Sequence, residues 1–241
     1  MTPKDAPDRR TWLQALRREN ERQENALAPD FDAYWGEIEP DHESFVDRFL
    51  SLLPAGGRVL DAACGTGKYF GMVLASGRSL LAVDHTGAYL DAARVKFPEV
   101  PTEKQDLEGL SYEQEFDGVM CVDAMEFVAP EEWPGVLHRF HRALRPQGWL
   151  YLTVELCADR LLQAANDAAR REGLPVVARE AMWDQPDGYY HYHPAMEQVR
   201  DWMAGAGFVI EEELESPWIN DEYAYHHALA RKLEPIREWS D

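Results

Sequence analysis

The chain has 241 residues, 45% apolar and 28% charged, which is enough for one full core, and no apolar run approaches the roughly 18–20 residues that cross a bilayer. Forty-four acidic residues against 24 Lys and Arg give a net charge of −20, and the first thirty residues hold six of each sign, so the excess lies in residues 31–241. Such a surface repels phosphate backbones and anionic headgroups, which disfavours nucleic-acid and membrane partners and leaves a small or cationic substrate as the easier one to accommodate.

Residues 1–30 read as a polar, partly helical lead-in in which Trp12, Leu13 and Leu16 make a narrow apolar stripe. Its charged start, Met1-Thr-Pro-Lys-Asp before Arg9-Arg10, lacks the apolar core of a secretory signal. A helix is expected over about Glu43–Leu53, broken by Pro54-Ala-Gly-Gly57. Short apolar strands then alternate with amphipathic helices. Strands are expected at Arg58–Ala62, Ser79–Val83, Thr102–Gln105, Phe116–Val122 and Trp149–Val154; helices are expected through Val73, at Thr86–Phe97 and at Pro130–Leu144, the last closed by Pro146-Gln-Gly148. That alternation is the signature of parallel βαβ units, hence a doubly wound α/β domain. A helix at Ala158–Glu172, an irregular aromatic stretch at 182–193 and a helix opened by Pro194 follow. An antiparallel pair, Phe208–Glu213 and Tyr223–Arg231, comes last, joined by a turn through Pro217 and Asn220-Asp221.

The most informative segment is Val59-Leu-Asp-Ala-Ala-Cys-Gly-Thr-Gly67, a glycine turn after the first strand, where an open α/β sheet binds its ligand. Asp61 precedes the turn, and Asp84, ending the second strand 23 residues later, can accept hydrogen bonds from both ribose hydroxyls. From Gly65 the series runs Gly-Thr-Gly-Lys-Tyr-Phe70, without the third glycine of a dinucleotide fingerprint, and an acid before the turn suits a cation better than a pyrophosphate. S-adenosylmethionine fits both acids, with its ribose at Asp84 and its ammonium near Asp61.

Here the sequence resembles the class I S-adenosylmethionine-dependent methyltransferases. The segment 59–67 is similar to their glycine motif, with Ala63 in place of the first glycine. Val83-Asp-His-Thr-Gly-Ala-Tyr-Leu-Asp-Ala-Ala-Arg94 is similar to the second motif and Gln105-Asp-Leu107 to the third. Residues 116–148 and the following strand resemble the fourth and fifth segments, and Ala206-Gly-Phe208 with Tyr225-His-His-Ala-Leu-Ala-Arg231 the closing hairpin. The resemblance, over roughly residues 55–232, implies a Rossmann-like seven-stranded, mostly parallel sheet with the last strand antiparallel, in three α/β/α layers under an N-terminal helical lid. The expected organisation is a cap over 1–54 and a catalytic domain over 55–241.

The resemblance implies cofactor contacts from Asp61, Ala63, Cys64, Gly65, Thr66, Gly67, Asp84, His85, Asp106, Leu107, Val122 and Asp123. The resemblance also implies one cofactor over the ends of strands one, two and four. The expected activity is methyl transfer to N or O of a small acceptor by in-line displacement. His191, His193 and Glu126 are the candidate catalytic groups; many members of the family carry a histidine where Phe127 stands. Tyr34, Trp35, Met125, Tyr190 and Tyr192 are the candidate acceptor contacts, with Tyr189-Tyr-His-Tyr-His193 read as an aromatic box for a cationic or aromatic acceptor. No metal is expected, because adjacent His226 and His227 point to opposite faces of a strand. Cys64, Cys121 and Cys157 are odd in number and lack CxxC spacing, which fits a reducing cytoplasm and no zinc cluster. The charged N-terminal helix would serve as a lid or as a homodimer element. A non-catalytic S-adenosylmethionine or S-adenosylhomocysteine binder and an NAD-dependent dehydrogenase are the competing readings.

Overall fold

The computed structural model describes residues 8–183, 189–219 and 222–233. Two helices lead, α1 (Arg9–Leu27) and the short α2 (Phe31–Trp35), the second without a helical expectation from the sequence. Asp8 caps α1 by accepting the Thr11 N–H at 3.1 Å. Helix α3 (Pro40–Leu52) starts three residues earlier than expected, because Pro40 supplies the first helical position.

Strands β1 (Arg58–Ala62), β2 (Ser79–Asp84), β3 (Thr102–Lys104), β4 (Phe116–Cys121) and β5 (Leu144–Cys157) alternate with α4 (Phe70–Ala75), α5 (Gly87–Lys96) and α6 (Trp133–Ala143). Helix α7 (Asp159–Arg171), hairpin strands β6 (Glu180–Trp183) and β7 (Tyr189–Tyr192), helix α8 (Met196–Gly205), and strands β8 (Phe208–Ile219) and β9 (Tyr223–Lys232) complete the chain. The main sheet runs β3-β2-β1-β4-β5-β9-β8, and β9 alone runs opposite to the other strands. Strand order reverses between β1 and β4, which opens a crevice at their carboxyl ends.

Side chains alternate to the two faces of the sheet. Val46, Phe49 and Leu50 of α3, Val73 of α4 and Leu90 of α5 pack on Val59, Leu80, Met120 and Tyr151. On the other face Trp133, Val136, Leu137 and Phe140 of α6, with Val199 and Met203 of α8, cover Leu60, Leu81, Val119, Leu150 and Leu152. The α3 layer lies so close over β4 that a Cβ on Gly118 would come within 2.5 Å of the Phe49 ring.

Three local expectations are corrected. Pro146-Gln-Gly148 does not close α6, which ends at Ala143. These residues loop out within β5, between the Phe116–Leu144 and Gly118–Trp149 pairings. The aromatic stretch at 182–193 is not irregular throughout: β6 and β7 form a second, two-stranded antiparallel sheet pairing Glu180 with Tyr192 and Trp183 with Tyr189; its residues 184–188 lie outside the described ones. Pro217 belongs to β8 rather than to a turn, and Asn220-Asp221 lie outside the described residues. The reading of the histidine pair holds: His226 meets Glu213 (2.9 Å), while His227, on the opposite face, meets the Tyr151 hydroxyl and Ser216 Oγ, each at 2.9 Å. No helix among the described residues is long and apolar enough to cross a membrane.

Helix α1 is tied down by Arg9, whose guanidinium donates to Glu180 (2.6 and 2.9 Å), to the Pro175 carbonyl (2.8 Å) and to Glu131 (2.8 Å). Glu180 is fully buried and also accepts from the Tyr190 hydroxyl and the Val177 N–H. Arg9→Ala strands that carboxylate in the core, so it is expected to lower unfolding free energy by about 3 kcal/mol, read as a reduced denaturant midpoint. A shift below ~0.5 kcal/mol would mean the pair is no latch.

Candidate functional site

The carboxyl ends of β1, β2, β4 and β5 open into one cavity of about 1320 Å³, roofed by α1 and α2 and walled by the β6–β7 hairpin and by β8 and β9. The glycine turn forms its floor. Ala63 (φ +67°), Gly65 (φ +53°) and Gly67 (φ +85°) all adopt left-handed backbone, so the alanine that departs from the glycine motif sits in a conformation glycine would hold with less strain.

Asp84 is buried at the end of β2. Its carboxylate accepts the Gly65 N–H and the Thr86 N–H, both at 2.8 Å, which latches the turn to the strand. Burial pushes its carboxyl upward from the ordinary range. Beside it His85 Nε2 lies 2.6 Å from Glu24 of α1, which also accepts from Thr86 Oγ1 at 2.5 Å. Burial opposes protonation of His85, yet Glu24 and Asp84 outweigh it and raise its pKa to about 9.

Asp61 is fully enclosed, and its Oδ2 has no hydrogen-bond partner although it faces the cavity. Burial first, and then the Asp84 charge, push its pKa up to about 8. Cys64 lines the turn with its thiol pushed up by burial, which suits a small packing residue rather than a nucleophile. Asp32 of α2 joins Thr66 to Lys96, and the Phe31 ring packs tilted against Tyr89 at 4.5 Å, so the short helix is seated directly on the turn.

Of the residues expected to hold the cofactor, Asp61, Ala63, Cys64, Gly65, Thr66, Asp84, His85, Asp106, Leu107, Val122 and Asp123 all line this cavity, while Gly67 shapes the turn from behind. Asp123 is fixed by His42 Nε2 (3.1 Å), by Thr153 Oγ1 (3.2 Å) and through its own N–H to Thr153 Oγ1 (2.8 Å). Tyr34, Trp35, Glu126 and His191 also reach the cavity. Glu126 is buried with Oε2 unpartnered; burial, then Glu155 and Asp123, hold its carboxyl well above the usual range.

Four expected contacts fall elsewhere. Along β7 the side chains alternate, and it is Tyr189 and His191 that face the cavity. Tyr190 and Tyr192 point into the core, against Trp12 and against Trp133 and Trp202 respectively. An aromatic box from both tyrosines is therefore excluded by strand geometry. Met125 is completely buried in the core of the α6 face. His193 is also completely buried; it does not border the cavity but sits behind His191, and burial lowers its pKa to about 4.

Residues that sequence reading passed over complete the site. Glu24 comes from α1, Glu155 from β5, and Trp218, Tyr223 and Tyr225 from the last hairpin. Trp218 packs on Tyr225 (5.1 Å) and on Trp35 (6.0 Å), which closes the cavity with aromatic surface. Glu155 left a trace in the sequence, as a lone carboxylate following six residues of a strand that is otherwise apolar but for Thr153.

The fold is Rossmann-like, with its cavity at the switch point of the sheet. A family model described as "Methyltransferase domain" matches residues 59–148. The chain is 28% identical over 181 residues to the ubiquinone biosynthesis O-methyltransferase of Xanthomonas axonopodis pv. citri, covering 70% of this chain and 71% of that one. Among solved structures, a SAM-dependent methyltransferase of Methanosarcina mazei superposes with a TM-score of 0.69 at 16% identity, covering 83% of this chain and all of that one. The Burkholderia thailandensis 1,6-didemethyltoxoflavin-N1-methyltransferase, bound to 1,6-didemethyltoxoflavin and S-adenosylhomocysteine, superposes with a TM-score of 0.66 at 17% identity, covering 95% and 93%. Residues 59–148 thus match a methyltransferase domain, and the chain shares its fold with S-adenosylmethionine-dependent methyltransferases. The domain and the curated relatives make it a methyltransferase.

Proposed function

We propose that the chain methylates a nitrogen or oxygen of a small acceptor. The observation that carries this reading is the single continuous cavity of about 1320 Å³ joining the glycine turn to His191 and Glu155. A site for one drug-sized ligand spans roughly 300–1,000 Å³, so this one has room for a cofactor and a small acceptor side by side. Residues 1–54 act as the cap and 55–241 as the catalytic domain. The names of the similar proteins accord with both acceptor atoms, an O-methyltransferase among the curated relatives and an N1-methyltransferase among the structures.

In this reading Asp84 holds the ribose hydroxyls, Asp106 the adenine amino group between Leu107 and Val122, and the orphaned Asp61 Oδ2 the ammonium of the methionine tail. Gly65 and Gly67 let that tail approach the backbone. Glu24 and His85 close the ribose edge from α1. When bound, the cofactor supplies a methyl carbon activated by its sulfonium. The acceptor lone pair forms the new bond in line as the carbon–sulfur bond breaks, with that electron pair passing to sulfur. Trp35, Trp218, Tyr223 and Tyr225 keep the acceptor end dry. Glu126 can hydrogen-bond the acceptor, and Glu155 and His191 are the neighbouring groups able to receive the acceptor's proton.

Calorimetric titration of the protein with S-adenosylmethionine, S-adenosylhomocysteine and NAD tests the donor half. Micromolar binding of the first two and none of NAD is expected, and binding of NAD alone would overturn the assignment. Methyl-labelled donor offered with panels of phenols, amines and peptides tests the acceptor half, and transfer to peptides alone would exclude a small acceptor. Trp218→Ala is expected to raise the acceptor KM at least about tenfold, because an aromatic packing surface is lost, with S-adenosylhomocysteine affinity unchanged. Equal losses in both would place Trp218 against the cofactor instead.

A further inference from the structure

We propose that Glu155, His191 and His193 bind one divalent transition cation at the acceptor end of the cavity. One ligating atom from each lies within 4.8 Å of the other two. Glu155 Oε1 stands 3.6 Å from His191 Nδ1 and 3.7 Å from His193 Nδ1. Both separations are too long for hydrogen bonds, yet close to the ~3.3 Å edge between neighbouring ligands of a tetrahedral ion with bonds of about 2.0–2.1 Å.

The second observation is the set of polar atoms left without partners. His191 Nδ1 and Glu126 Oε2 are both buried and neither makes a hydrogen bond. Native interiors rarely leave one such group unpaired, and two at the same end of the cavity mark a place where a ligand is missing. Two acids, Glu155 and Glu126, meet there with Asp123 close enough for all three to be electrostatically linked. A cation relieves that repulsion.

Strand geometry makes the cluster. His191 and His193 are two residues apart on the same face of the β7 track, and β5 brings Glu155 opposite them. His193 is held firmly, with its backbone N–H donating to the Arg179 carbonyl at 3.0 Å. Supporting contacts of this kind orient metal ligands. The edge of the Phe127 ring packs against His191 at 4.8 Å and fixes that imidazole too.

Two imidazoles and a carboxylate suit Zn²⁺, Fe²⁺ or Co²⁺ better than Mg²⁺ or Ca²⁺, which prefer all-oxygen shells. Glu155 and His191 border the cavity, so the remaining coordination positions face it and can take an acceptor oxygen or nitrogen. The expectation of no metal came from sequence spacing, which cannot see a ligand on β5 facing two on a distant hairpin.

Chelator-treated full-length protein titrated with CoCl₂ tests this. Visible ligand-field absorption saturating at one ion per chain is expected, bleached by competing Zn²⁺. Glu155→Gln and His191→Ala should each weaken cobalt binding at least about tenfold, the scale on which metal sites respond to their ligand shells. His193 is fully buried and its loss could unfold the hairpin, so the partly exposed His191 and the isosteric glutamine are used, with circular dichroism confirming the fold. Absence of the absorption, or cobalt affinity unchanged in both folded variants, overturns the proposal. S-adenosylhomocysteine binding by the wild-type preparation is read separately, so failure of the cofactor reading and failure of the metal site are distinguishable.

Discussion

Replacing Asp84 by asparagine is expected to weaken S-adenosylmethionine and S-adenosylhomocysteine binding at least ~100-fold while the sheet stays folded. The carboxylate uses one oxygen for the Gly65 N–H and the other for the Thr86 N–H, each at 2.8 Å. Asparagine keeps the shape but turns an NH₂ toward one of those donors, so the glycine turn or the start of α5 loses its anchor. The ribose hydroxyls lose half of their acceptor at the same time. Hydrogen bonds to a charged group are worth ≈ 1.5–3 kcal/mol each, so two of them account for a loss of this size. Asp84→Ala should do the same, and Gly65→Arg should match it, since a side chain at φ +53° strains the turn and projects toward Phe31 of α2. Calorimetry with S-adenosylhomocysteine beside a thermal melt is the measurement. Affinity within tenfold of wild type in folded Asp84→Asn would show that the ribose lies elsewhere.

The cofactor half of the site was legible because it is local. Asp61, the turn and Asp84 lie within 24 residues of chain, and parallel β1 and β2 place their ends together by register, with Asp61 opposite Ala82 and Ala62 opposite Val83. The acceptor half is assembled by tertiary contacts. Glu155, His191, Trp218 and Tyr225 come from four strands in two sheets, and no spacing in the chain announces that they meet. The sequence of this stretch allows strand-like alternation but does not say which of its alternate residues face inward. Once β7 pairs Tyr192 with Glu180 and His191 with Ala181, period-two alternation sends the two tyrosines inward and His191 outward. The length of β5 was hidden by Pro146 and Gly148, which read as a helix stop and instead form an outward loop in the strand.

Donor affinity is expected to rise with pH between 6 and 7.5, by a factor approaching tenfold per unit, and Asp61→Asn should flatten that profile. Asp61 is enclosed beside Asp84, and its pKa of about 8 leaves it mostly protonated at pH 6. The ammonium of the bound methionine tail favours the ionised form, so binding expels a proton and tightens as the proton becomes easier to remove. Above pH 7.5 the donor's own α-amino group, with an ordinary pKa of about 7.7–8.0, starts to lose its charge and the gain levels off. Stability of the ligand-free protein moves the other way. A carboxyl whose folded pKa exceeds its unfolded value of about 4 keeps a proton that the unfolded chain gives up, so its contribution is intact below pH 4 and is lost as pH rises toward 8. Each unit of difference is worth about 1.4 kcal/mol, which makes ligand-free Asp61→Asn more heat-resistant than wild type at pH 8 and weaker in donor binding at pH 7.5. A variant stabilised yet impaired in binding identifies a group kept for its ligand rather than for the fold. A flat wild-type profile, or Asp61→Asn binding the donor as well as wild type at pH 7.5, would remove Asp61 from the cofactor's contacts.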